Sequence, residues 1–182
     1  MNKINKPSRG FPMKEFEERL IRAQKIMQNH EFDGILITSP QNIRYFTGYD
    51  SQFWESPTRP WFVVVPATGK PIGIVPEIGE SEFKKTWLDE IKSWPSPKPE
   101  DEGISLVKST LENLPKTYGQ IGAELGKEMA IRMPVIDLLK LKETVKTNIV
   151  DGSDAIWDMR MVKTNAEIER IKFICSIASD AF

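Results

Sequence analysis

Phe16, Leu20, Ala23 and Met27 recur at steps of four, three and four residues, which lays them along one face of a helix. The spacing predicts a helix over Met13–His30, with Glu15, Glu17 and Glu18 at the positive end of its dipole and Asp33-Gly34 as its stop. Gly34–Thr38 (GILIT) has the unbroken apolar character of a short buried strand. Ser39-Pro40-Gln41-Asn42 then starts a short helix, since serine caps and proline suits the first helical position. Gly48 ends it. Residues 49–60 are a loop rich in turn formers and aromatics.

Trp61–Val65 and Pro71–Val75 are predicted strands joined by a turn at Thr68-Gly69-Lys70, a hairpin. Glu77–Asp89 is expected to be helical, Ile91–Trp94 a strand, and SPKPED a proline-rich loop. Ile104, Val107, Leu111 and Leu114 mark another amphipathic helix. Tyr118–Ala123 is a strand, Pro134–Glu143 a helix and Asn148–Val150 a further strand. Helices alternating with strands predict an α/β (α+β) domain around a mixed central sheet. Residues 1–12 are expected to be a flexible arm, and no internal repeat or low-complexity stretch interrupts the rest.

At the far end, Thr164-Asn165-Ala166-Glu167 has the form of a capping box. Ile168, Ile171, Ile174 (or Cys175) and Ala178 follow as an apolar stripe, and the helix is still running at Phe182 without a glycine, proline or basic last turn. The expectation is that the natural chain continues.

Composition narrows the chemistry. The 182 residues carry 25 basic and 26 acidic side chains, a net charge of −1, so no general attraction to nucleic acid or to anionic lipid is expected. The apolar run Trp61–Val65 is too short to cross a bilayer. The charged amino terminus is not followed by a signal-like apolar segment, so a cytoplasmic address is expected. Cys175 is the sole cysteine, which excludes an internal disulfide, and its place near an apolar stripe predicts a buried, inert thiol. His30 is the sole histidine and is expected to face water or the negative end of the first helix. No metal-ligand spacing, serine-nucleophile elbow or phosphate loop occurs; Gly122-Ala-Glu-Leu-Gly126 lacks the lysine-threonine tail. The expected set of catalytic and metal-ligating residues in this chain is therefore empty.

Three stretches, in order, carry a family resemblance: Ser39-Pro-Gln-Asn-Ile-Arg-Tyr-Phe-Thr-Gly48, Ile121-Gly-Ala-Glu124, and Met159-Arg160-Met-Val-Lys163 followed by Glu167-Ile168. Together they resemble the N-terminal domain of creatinase/prolidase/aminopeptidase P metallohydrolases. The resemblance implies a ribonuclease H-like domain over 13–158, with 159–182 as linker and first helix of an absent pita-bread catalytic domain. That second domain would hold two divalent metals (Mn, Co or Zn) on two aspartates, a histidine and two glutamates. The parent activity would be cleavage of an Xaa-Pro peptide or a creatine-like small C–N substrate. The domain's own work would be homodimer formation and closing one wall of the active site. A metal-free, protein-binding relative is the alternative.

The resemblance also singles out residues. In creatinase-like dimers the loop over 49–60 reaches the neighbouring subunit, which gives Phe53, Trp54 and Arg59 a substrate-contacting role in trans. An aromatic supplies a flat apolar wall and an arginine a fork for a carboxylate. The competing expectation for these three is a loop tip packed on its own domain, while Trp61 and Phe62 are expected to be strand residues with one facing the core. Asn42, Tyr45 and Gly48 match the family signature and are expected to be structural. Asn42 would satisfy free backbone groups of the helix start, Tyr45 would bury its ring and hydrogen-bond its hydroxyl, and Gly48 would take a positive φ.

Overall fold

A computed structural model describes residues 6–52 and 59–181. The elements run α1 (Met13–Asn29), β1 (Gly34–Ile37), α2 (Pro40–Thr47), β2 (Phe62–Pro66), β3 (Ile72–Pro76), α3 (Glu77–Phe83) and β4 (Glu90–Trp94). They continue with α4 (Ile104–Asn113), β5 (Gln120–Ala123), α5 (Val135–Thr144), β6 (Asn148–Asp151), α6 (Ser153–Met161) and α7 (Asn165–Ala181). The strands form one mixed sheet in the order β4-β3-β2-β1-β5-β6. β2 runs antiparallel to both neighbours, and every other pair is parallel. The expected α/β domain with a mixed central sheet is the architecture found.

Both faces of this sheet are covered, and the side-chain alternation of β1 and β2 divides the core accordingly. Ile35, Ile37, Val63 and Val65 pack with Phe16, Leu20 and Met27 of α1 and with Ile156 and Met159 of α6. Leu36, Phe62 and Val64 point the other way, to Val107 and Leu111 of α4 and Leu141 of α5. Every residue of β1 and of β2 is buried. Such a side chain contributes about 1.5–3 kcal/mol when taken fully out of water, which is why these strands read as unbroken apolar runs rather than alternating ones. Trp61 and Phe62 are both buried, one in each cluster, so both serve the core where only one was expected to.

Two further differences have physical causes. The helix expected over Glu77–Asp89 stops at Phe83. Phe83 is fully buried, and the chain must turn inward after it so that Trp87 and Leu88 can also be buried. Thr86 Oγ1 donates to the Phe83 carbonyl at 2.7 Å, and Trp87 Nε1 donates to the Phe46 carbonyl at 2.8 Å. Helix α6 was not anticipated. Its inward residues Ala155, Ile156 and Met159 are few, and Asp154, Asp158 and Arg160 interleave with them; it runs through the expected domain boundary between 158 and 159.

Gly48 ends α2 with φ +76°, as expected. A side chain there would also meet the Phe16 ring, 2.7 Å from the position a Cβ would take. The far end of the expected loose arm is held: Phe11 meets Phe16 edge-on at 6.3 Å. Cys175, expected to be buried, is exposed, because α7 buries none of its residues.

Candidate functional site

The chain leaves β1 towards β2 on one side, while β5 adds in parallel on the other. The carboxyl ends of β1 and β5 therefore flank the crevice where open α/β sheets commonly take a ligand. Here a side chain of the protein fills it. Glu124, immediately after β5, is 1% exposed. One of its oxygens, Oε2, accepts from Thr38 N at 2.7 Å, Thr38 Oγ1 at 2.8 Å and Ser39 N at 2.9 Å. The other, Oε1, accepts from Ser39 Oγ at 2.5 Å and Asn42 Nδ2 at 2.6 Å. The carboxylate sits where an anionic ligand would sit, at the amino terminus of α2.

Asn42 extends this cluster outward. Its Oδ1 accepts from Arg160 Nη1 of α6 at 2.7 Å. It thus joins two side chains, a different duty from the expected satisfaction of backbone groups. Ser39 is the cap of α2, as expected, with its side chain accepting from Asn42 N. Tyr45 behaves as expected: its ring is buried and its hydroxyl donates to the Met159 carbonyl of α6 at 2.9 Å. Burial pushes the phenol above its usual pKa, with the charge of Arg22 opposing. Arg160, Asn42, Ser39, Gln41, Arg132 and Glu128 border a cleft of about 360 Å³.

A second cluster fastens the first turn of α7. Arg19, 2% exposed, donates to Glu15 Oε1 at 3.0 Å, to the Tyr45 carbonyl at 2.9 Å and to Glu167 Oε1 at 3.3 Å. Thr164 Oγ1 donates to Glu15 Oε1 at 2.7 Å. The expected capping box is formed: Thr164 N donates to Glu167 Oε2 at 2.8 Å and Glu167 N to Thr164 Oγ1 at 3.2 Å. A guanidinium this deep is tolerable only with its donors filled and its charge matched; the two carboxylates match the charge, and with the Tyr45 carbonyl they take its donors.

Of the other sequence-predicted residues, only Arg59 is among those described, and it lies apart from these clusters. Phe53 and Trp54 fall outside the described residues. Arg59 is exposed and near Glu102. Burial of the Glu102 carboxyl raises its pKa, but hydrogen bonds from Trp94, Lys98 and Ser96, aided by the charge of Arg59, bring it below the usual value. Asn42 and Tyr45 do share one helix, α2, which Gly48 caps, and both reach α6.

The buried acids do not fit a metal. Glu124 is filled by five N–H and O–H donors. Asp33, also buried, accepts from the backbone N–H groups of Thr117, Tyr118 and Gly119 at 2.8, 3.0 and 2.7 Å. His30 Nε2 lies 3.1 Å from Asp158 Oδ2, and its ring stacks on Phe32. Among the described residues no three His, Cys, Asp or Glu side chains are grouped to hold an ion, and no helix is long and apolar enough to cross a membrane.

Glu124, Glu15 and Arg19 were not recognised from the sequence as site residues. Glu124 carried a weak signal, a charge set directly after the apolar strand residues Ile121-Gly-Ala. Glu15 and Arg19 stand at the i, i+4 spacing of a helical ion pair, which surface helices share.

The Creatinase/Prolidase N-terminal domain family model matches residues 19–162. An Xaa-Pro dipeptidase from Pyrococcus furiosus is 28% identical over 166 residues, covering 91% of this chain and 41% of the relative. A probable dipeptidase PepE from Mycobacterium bovis is 24% identical over 169 residues, covering 91% of this chain and again 41% of the relative. The chain thus spans about two fifths of the length of the curated relatives it matches. Among solved structures, dipeptidase PepE from Mycobacterium ulcerans superposes with a TM-score of 0.66 at 23% identity, covering 88% of this chain and 40% of that one. The Creatinase/Prolidase N-terminal domain of an X-Pro dipeptidase from Streptococcus pyogenes superposes with a TM-score of 0.58 at 16% identity, covering 76% of this chain and 96% of that one. At these identities the two superpositions establish the fold.

Proposed function

Because this chain belongs to the creatinase/prolidase N-terminal domain family, we propose that it is the non-catalytic N-terminal domain of an Xaa-Pro peptidase. Its work is to pair subunits and to form one wall of an active site housed in a second domain. The reaction there is hydrolysis of a peptide or related C–N bond, with a pair of divalent metal ions supplying an activated hydroxide.

The observation that carries this reading is how the buried polar groups are used. Glu124 has five donors on its two oxygens, and Asp33 and Arg19 are filled as well. A general base or metal ligand needs a free lone pair directed at substrate or ion. The carboxylate lone pairs here are taken instead by N–H and O–H donors of the domain's own strand ends, helix start and loop. The sequence relatives, an Xaa-Pro dipeptidase and a probable dipeptidase, each more than twice as long as this chain, support the peptidase assignment.

The test is an Xaa-Pro dipeptide hydrolysis assay on the purified 182-residue chain, with and without added Mn²⁺. No turnover above buffer is expected in either condition. Turnover that Mn²⁺ stimulates and a chelator abolishes would overturn the non-catalytic assignment.

A further inference from the structure

Residues 8–11 lie across α1 and the start of α7 without joining the core. Phe11 is only partly buried, packed against the edge of the main cluster. Two cavities flank it, of about 530 and 410 Å³, and both are bordered by Gly10, Phe11, Phe16 and Gly48. Open space thus lies against the segment in both cavities, unlike a core element.

What holds it is charge. The guanidiniums of Arg19 on α1 and Arg170 on α7 lie 4.1 and 4.0 Å from the centre of the Phe11 ring. Arg170 Nη2 also donates to the Ser8 carbonyl at 3.2 Å and to the Gly10 carbonyl. Its Nη1 donates to the Ala166 carbonyl at 2.9 Å. Among the described residues no carboxylate is within ion-pair distance of Arg170, so its charge is met by carbonyl dipoles and by the aromatic face. Gly10, at φ +70° with nothing within 4 Å of a would-be Cβ, supplies the bend that turns both carbonyls and ring towards α7.

We propose that residues 8–11 are an intramolecular strap, with Phe11 as a pin between two guanidiniums that couples α7 to the domain. The strap steadies the first turns of α7, where Glu167 and Arg170 bond to other segments, and α7 in turn keeps the strap seated. Coupling of this kind is reciprocal, so loosening either partner loosens the other. Lifting the strap would merge the two flanking cavities into one groove beside Tyr49 and Asp50, where the 49–60 loop begins.

Both directions can be read in the 182-residue chain. Phe11→Ala and Phe11→Leu should each raise amide exchange over 165–171 about tenfold, while β1 and β5 keep their wild-type protection. Leucine keeps the apolar cover but offers no aromatic face. In the reverse direction, Arg170→Gln should speed tryptic cleavage of the Arg9–Gly10 bond about tenfold, since a protease needs a released segment. Unchanged exchange in Phe11→Ala, or a wild-type Phe11→Leu, would overturn the pin. A rise spread evenly over the whole chain would make Phe11 an ordinary packing residue and overturn it equally. An unchanged cleavage rate in Arg170→Gln would overturn the coupling.

Discussion

Glu124 is the residue on which the polar contacts joining β1, α2 and the end of β5 converge. Its partners Thr38, Ser39 and Asn42 come from the end of β1 and the start of α2, and Asn42 relays the connection to Arg160 on α6. Removing the acceptor leaves several buried donors with no water to replace it. Glu124→Ala should therefore lower the urea unfolding free energy by about 3–5 kcal/mol, with the denaturant slope unchanged. Glu124→Gln is the sharper test. It preserves shape but turns one acceptor oxygen into a donor that must face other donors, so it should recover little of the loss. A glutamine variant as stable as wild type would mean that the site is held by packing rather than by its hydrogen bonds. Ser39, Asn42, Glu124 and Arg160 stood in the stretches that carry the resemblance, but their pairing was not legible in the sequence, because the partners of Glu124 stand more than 80 positions away. Gly48 and the Tyr45 hydroxyl were legible because their requirements, a positive φ and a partner for a buried hydroxyl, are local and chemical.

At the scale of elements, the same contrast decides what could be foreseen. α1, β1, α2 and the capping box of α7 announce themselves through spacing and caps. α3 ends early because Trp87 and Leu88 are drawn inward, and α6 depends on a short apolar face that only the finished core rewards; both are tertiary effects overriding local pattern. α7 is the opposite case. It has a strong local start and no buried residue, and an isolated helix of its length is marginal in water. Its order then rests on its first turn. Thr164→Ala removes the cap and the hydroxyl bond to Glu15, a local cost of about 1 kcal/mol. The expected result is a loss of far-UV helical ellipticity at temperatures well below the main transition, with the unfolding midpoint of the core shifted little. A parallel fall in both would mean that α7 is part of the cooperative unit, and its stability would then need a source other than its cap.

Over the whole molecule, two surfaces compete to explain any self-association. One is the 49–60 loop, to which the resemblance assigns Phe53, Trp54 and Arg59 at a neighbouring subunit. The other is α7, where Ile168, Ile171, Ile174 and Ile177 are 37%, 49%, 62% and 50% exposed. A row of isoleucines this open is unusual on a lone surface helix and is itself a potential sticky face. The net charge of −1 gives little repulsion to keep copies apart. Sedimentation therefore needs both variants. The dimerisation proposed above predicts that Phe53→Ala with Trp54→Ala reduces association of the 182-residue chain, whereas Ile171→Glu with Ile174→Glu leaves a concentration-dependent dimer. Ile171 and Ile174 are 49% and 62% exposed and neither belongs to the buried clusters, so the second pair should not disturb the core. If the α7 pair abolishes association while the loop pair leaves it intact, association is through the open helix and the loop loses its assigned place at the subunit boundary. A wild-type chain that remains monomeric at high concentration would remove the pairing role from this domain altogether.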